Sequence, residues 1–77
     1  MKSRRARTMM RAFWKRLESS RIVAGYEKAE HFANELKIEP PRYRKYERGE
    51  ALPPIDMLDS IADHTRESLD FLLRGHR

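Results

Sequence analysis

Apolar residues recur along this chain at helical spacing, and nowhere with the period of two that marks a half-buried strand. Phe13, Leu17, Ser20/Arg21 and Ala24 fall at i, i+4, i+7/8 and i+11, which predicts a first helix from about Met9. Gly25 is placed to end it as a C′ glycine. Tyr26, Ala29, Phe32, Ala33 and Leu36 make a second stripe, on a helix over about 28–36. Further on, Pro53-Pro54 opens a fourth helix that turns Ile55, Leu58, Ile61 and Ala62 inward. Ser68 is an N-cap for a short last helix with Leu69, Leu72 and Leu73, Asp70 near its positive end and Gly75 closing it. The pattern predicts an all-α fold, a compact bundle of five short helices. Residues 1–8 lack an apolar pattern and are expected to form a basic flexible arm, leaving 9–75 as the folded domain and 76–77 as a tail.

The third helix is the least obvious. Residues 38–50 read IEPPRYRKYERGE, with two prolines ahead of a run of Arg, Lys and Tyr. Proline is tolerated in a first helical turn, where its missing N–H has no intrahelical partner. A helix starting at Pro40 places Glu39 at or just before the N-cap, where its charge suits the positive end of the helix. Tyr43, Tyr46 and Glu47 then share one arc, while Pro41, Arg42, Arg44, Lys45 and Arg48 occupy the other, spanning roughly 160°. A polyproline II ligand would instead need PxxP-type spacing, and no proline follows this adjacent pair until Pro53.

Charge gives that cationic face a context. The 77 residues carry a net charge of +5, but residues 1–48 hold +8 and residues 49–77 hold −3. Such segregation suggests an anionic partner, nucleic acid first and a membrane surface second. At this length the chain forms one domain with a thin core, so a binding surface is the better default than a deep catalytic cleft. No cysteine is present, which excludes disulfides, thiolate zinc sites and thiol nucleophiles. His31, His64 and His76 lack metal-ligand spacing and are expected at the surface, and the carboxylates show no acid–base pattern. No enzyme activity and no cofactor are therefore expected. No apolar run reaches a membrane span and no signal peptide is legible, so a cytoplasmic location is expected.

The stretch Ala29–Tyr46 carries a more specific signal. Ala33 stands at its fifth position, a short turn lies around Lys37–Glu39, and Tyr43 and Tyr46 stand at its fifteenth and eighteenth. A small residue there admits a crossing helix and the two later residues anchor it, which is the helix-turn-helix pattern. Around it lie Arg16-Leu17, Arg21, Gly25-Tyr26, Phe32-Ala33, Leu36 and Ile38. After it come Tyr46-Glu47-Arg48-Gly49-Glu50, Pro53-Pro54, Leu58, Ile61-Ala62 and the run SLDFLL over 68–73. In this ordered set the chain resembles the Xre/Cro/CI family of helix-turn-helix regulators, over about residues 12–75.

The resemblance implies a lambda-repressor-like domain whose second helix braces the DNA backbone while the third lies in the major groove. It carries DNA contact onto Lys28 and Ala29 at the start of the second helix, and onto Pro40, Pro41, Arg42, Arg44 and Lys45 in the third. Glu39 and Arg48, which flank that set, are candidate DNA contacts as well, and Arg42, Arg44, Lys45 and Arg48 are the strongest candidates for holding phosphates or reading guanine. Arg21 and Glu47 match a family pair in which an arginine of the first helix bridges a glutamate closing the third. Three departures stand out. Family members often have Gln at the positions of Pro40 and Pro41, and proline has no donor with which to read a base edge. Lys37 replaces the turn glycine, and Glu27-Lys28 replaces a better N-cap.

These readings make the chain a sequence-specific DNA-binding transcriptional regulator, bacterial or phage, associated with the nucleoid when bound to double-stranded DNA. Arg4, Arg5 and Arg7 of the arm are candidates for added phosphate contacts, or belong to a solubilising tail. Useful affinity often needs two half-sites, so a homodimer through Leu69, Phe71 and Leu72 is a plausible expectation. The alternative is a small helix-turn-helix adaptor acting on protein partners such as the transcription machinery, which the prolines motivate. Non-specific binding to anionic surfaces is the third reading.

Overall fold

The computed structural model describes residues 4–75, with the stretch 4–10 described by its backbone alone. Within these residues all regular secondary structure is helical: α1 (Arg4–Val23), α2 (Ala29–Glu35), α3 (Pro40–Glu47), α4 (Ile55–Thr65) and α5 (Leu69–Arg74). α1 runs through the middle of the bundle and packs against α5, α3 and α4, while α2 lies on α3 and α4 on α5. Helix α1 reaches back to Arg4, across residues 4–8 where an arm was expected. That segment lacks an apolar stripe, but it also lacks any helix breaker, and Arg and Ala, four of its five residues, are strong helix formers. Lys2 and the tail 76–77, with His76, lie outside the described residues.

The core is built from every element. Phe13 and Leu17 come from α1, Phe32 and Ala33 from α2 with Leu36 at its end, Tyr43 and Tyr46 from α3, Leu58 and Ile61 from α4, and Leu72 from α5. Aromatic rings meet edge-on at its centre, Phe32 against Tyr43 at 5.4 Å and Tyr43 against Tyr46 at 6.2 Å between centroids. Such pairs add about 0.5–1.5 kcal/mol beyond the area they bury. Ala33 is fully buried beneath them, and its small size allows α2 and α3 to cross closely.

Two expected core positions face outward. Ile55 is 70% exposed. It is the first residue of α4 and stands about 70° from the centre of that helix's apolar arc. Ala24 is exposed because α1 ends one residue earlier and the chain turns there. Conversely, His64 is half-buried, with Nδ1 2.8 Å from the Ser60 carbonyl and its ring edge-on to Phe32.

The first three helices stop in the same way. A residue just past each end turns left-handed: Gly25 (φ +101°), Lys37 (φ +61°) and Gly49 (φ +77°). The following amide then donates five residues back, Tyr26 to Arg21, Ile38 to Ala33 and Glu50 to Lys45, at 3.0, 3.1 and 2.8 Å. At Lys37 this geometry carries a side chain that glycine would not, at a cost of about 1 kcal/mol. At α5 the expected cap forms, Ser68 Oγ accepting from the Phe71 amide at 3.0 Å.

Gly49 is constrained twice. Besides its positive φ, a Cβ there would fall among the six-membered ring atoms of Trp14, whose indole lies against the glycine. Trp14 is thus packed on the core edge and holds the exit of α3 against α1. Gly49→Ala is expected to lower the unfolding free energy by about 2–4 kcal/mol, combining backbone strain with overpacking. Combining it with Trp14→Ala should cost less than the sum of the two single changes. Urea denaturation checks both, and a loss below about 1 kcal/mol for Gly49→Ala contradicts the packing.

Candidate functional site

The candidate site is built on α3, and its orientation is set from underneath. Arg21, on the last turn of α1, donates from Nε to Glu47 Oε2 at 2.7 Å, with both side chains nearly buried. Its other nitrogens complete the set. Nη1 donates to the carbonyls of Tyr26 and Glu27 at 2.7 and 2.6 Å, and Nη2 reaches Glu47 Oε1 at 3.4 Å. The Tyr43 hydroxyl donates to the same carboxylate. One guanidinium thus ties the end of α1, the strand of chain leading into α2, and the last turn of α3. The pair expected from the resemblance is present, with a tyrosine added to it.

Burial pushes the Tyr43 phenol far above its ordinary value, and the neighbouring Glu47 carboxylate, to which it donates, pushes the same way. The neutral phenol is therefore the form the fold requires. A group with a raised folded pKa contributes stability that is present below its unfolded pKa, near 10, and lost as pH rises beyond it. Relative to Tyr43→Phe, the natural chain should lose about 1.4 kcal/mol of stability per pH unit above roughly pH 10. Below about pH 9 the difference between the two should be constant. Chemical denaturation across pH 8–11.5 checks this, and a pH-independent difference contradicts the buried hydrogen bond.

With Tyr43 and Tyr46 turned in, the opposite face of α3 carries Pro41, Arg42, Arg44, Lys45 and Arg48, all exposed. Arg42, Arg44 and Lys45 make no ion pair among the described residues. Arg48 pairs with Glu50 across the turn that follows, which weakens it as a contact for an outside anion. Pro40 is half-buried in the first position of the helix, and Glu39 is the N-cap, its carbonyl accepting from the Arg42 and Tyr43 amides at 3.0 and 3.1 Å. The Glu39 side chain makes no capping bond. At the start of α2, Lys28 is an exposed N-cap without a side-chain bond and Ala29 is half-buried.

Two open grooves flank α3. The larger, about 510 Å³, lies between α3 and the loop that follows it, and its lining includes Glu39, Pro41, Arg42, Lys45, Leu52 and Pro54. The smaller, about 330 Å³, lies on the α1 side between Arg11, Trp14, Lys15, Glu18 and Glu47. Leu52 was not singled out from the sequence. The available signal was a lone large apolar residue just ahead of Pro53-Pro54, which here is 53% exposed beside the cationic face.

The other sequence candidates separate. Arg4, Arg5 and Arg7 lie on α1, but their side chains fall outside the described residues. Leu72 is fully buried in the core and has no surface to offer a second copy, which corrects its place among the dimer contacts. On a six-residue helix anchored to α1, the middle apolar position is drawn inward, and Arg16 Nε donates to the Leu72 carbonyl at 2.9 Å. Leu69 and Phe71 are half-buried. Among the described residues no cluster of acids and histidines is placed to hold a metal ion, and no helix is long and apolar enough to cross a membrane. No protein-family model, curated protein or solved structure matches this chain.

Proposed function

We propose that the protein is a DNA-binding transcriptional regulator of the helix-turn-helix kind, with α3 entering the major groove and α2 bracing it across the backbone. The observation that carries this reading is the outward face of α3. Its Arg42, Arg44 and Lys45 project from a short helix held rigidly by two buried tyrosines and a buried ion pair. Phosphates and guanine edges are the partners that such a face fits, since Arg offers paired donors to guanine O6 and N7 and Lys offers a point charge. The resemblance to the Xre/Cro/CI family supports the same docking, and the −3 balance of residues 49–77 keeps cationic charge on the other half of the chain. Two copies on two half-sites would give so small a domain useful affinity.

A second reading, an adaptor that docks on the transcription machinery, draws on one observation. Ile22 and Val23, adjacent at the end of α1, are 47% and 85% exposed.

A titration with genomic fragments at two salt concentrations separates the readings. The regulator should retain a few fragments at the higher salt, with a log K against log salt slope of roughly −3 to −4 per bound copy for three or four phosphate contacts each. Arg42→Ala and Lys45→Ala should weaken binding, and whichever residue reads a base should also lower the ratio of specific to non-specific affinity. Absence of fragment preference at either salt contradicts the regulator and leaves the adaptor.

A further inference from the structure

We infer that the apolar strip beside the cationic face of α3 senses the methyl groups of thymine, with Pro41 and Leu52 as the contacting side chains. The inference rests on the DNA-binding reading above and specifies which base edges that face selects. Pro41 and Leu52 line one groove together with Arg42 and Lys45. Both apolar side chains are exposed, Leu52 by 53%, and both line the same groove as two cations, so the apolar surface borders a charged one. Pro40 is half-buried and belongs to the start of the helix, so Pro41 alone of the pair is presented outward.

The chemistry of the duplex selects the occupant. Base edges in the major groove present donors and acceptors, and one apolar group, the C5-methyl of thymine. A proline ring offers only C–H surface, as does leucine, so neither can read any other feature of a base pair. The flanking cations require an anionic partner, and a nucleic acid duplex carries phosphates at its groove margins with thymine methyls on its floor. Glu39, an acid on the lining of the same groove, repels phosphate and can accept from the amino group of cytosine, which suits this part of the surface to base edges rather than to the backbone. The prolines that cost the third helix its hydrogen-bonding readers thereby supply a reader of another kind.

Duplexes selected by the natural chain from a random pool provide the test. Each thymine of the selected site is replaced in turn by deoxyuridine, which removes the methyl and keeps every hydrogen-bonding group. One or two of these replacements should weaken binding about fourfold each, the effect expected for one methyl returned to water. Pro41→Ala and Leu52→Ala should each bring the thymine-to-uracil ratio toward one at a single position, with helical content preserved by circular dichroism. Selection of a duplex that binds equally well with uracil at every position overturns the methyl reading and leaves the DNA-binding reading intact. Failure to select any duplex overturns both.

Discussion

The structure depends on one buried charge. Arg21 brings a guanidinium into a small core, and its neutralisation by Glu47 organises the elements around it. The Tyr26 and Glu27 carbonyls accept from the same group, so the turn between α1 and α2 is fastened at the point where α3 ends. A pair this buried adds little stability over an apolar replacement, yet removing one partner strands a charge at about 3–5 kcal/mol. Its contribution is therefore geometric. With Glu47 held inward, the last turn of α3 cannot rotate, and Tyr43, one turn earlier, is fixed through its hydroxyl to the same carboxylate.

The remainder of α3 follows from that fixed rotation. Helical geometry places Tyr43, Tyr46 and Glu47 on one arc, so the cations and Pro41 must take the other. The prolines start the helix without losing a bond, and Gly49 ends it where the Trp14 indole leaves no room for a side chain. Eight residues are thus held at both ends and along one side. A helix so constrained presents its charges without paying the ordering cost on binding that a flexible basic segment would.

Much of this arrangement was legible in the sequence because it rests on periodicity and on local signals. The five helices follow the apolar stripes, the Ser68 cap forms as its spacing predicts, and the proline-started α3 has the expected inward and outward sides. The errors fall where local pattern is ambiguous. A basic stretch without an apolar pattern reads as an arm, although nothing in it opposes helix, and α1 extends back to Arg4. Ile55 reads as core because it lies at the edge of an apolar arc, but at a helix start neighbouring elements decide, and it is exposed. In α5 the apolar stripe of Leu69, Leu72 and Leu73 was legible, but Leu72 could not serve both the core and a dimer contact, and it is buried in the core. The stacking of Trp14 on Gly49 and the meeting of Leu52 and Pro41 on the lining of one groove join positions far apart in sequence or in separate elements, where no pattern signals them.

In the proposed function, the buried Arg21–Glu47–Tyr43 cluster turns a rigid cationic helix face toward DNA. Amide chemical shifts of the isotope-labelled protein, followed as duplex DNA is added, test it most directly. The largest changes are expected at Arg42, Arg44 and Lys45, with Leu52 and Lys28 next and the α5 amides nearly unmoved. Changes concentrated on α5 or on the Ile22–Val23 end of α1, with α3 silent, would contradict it.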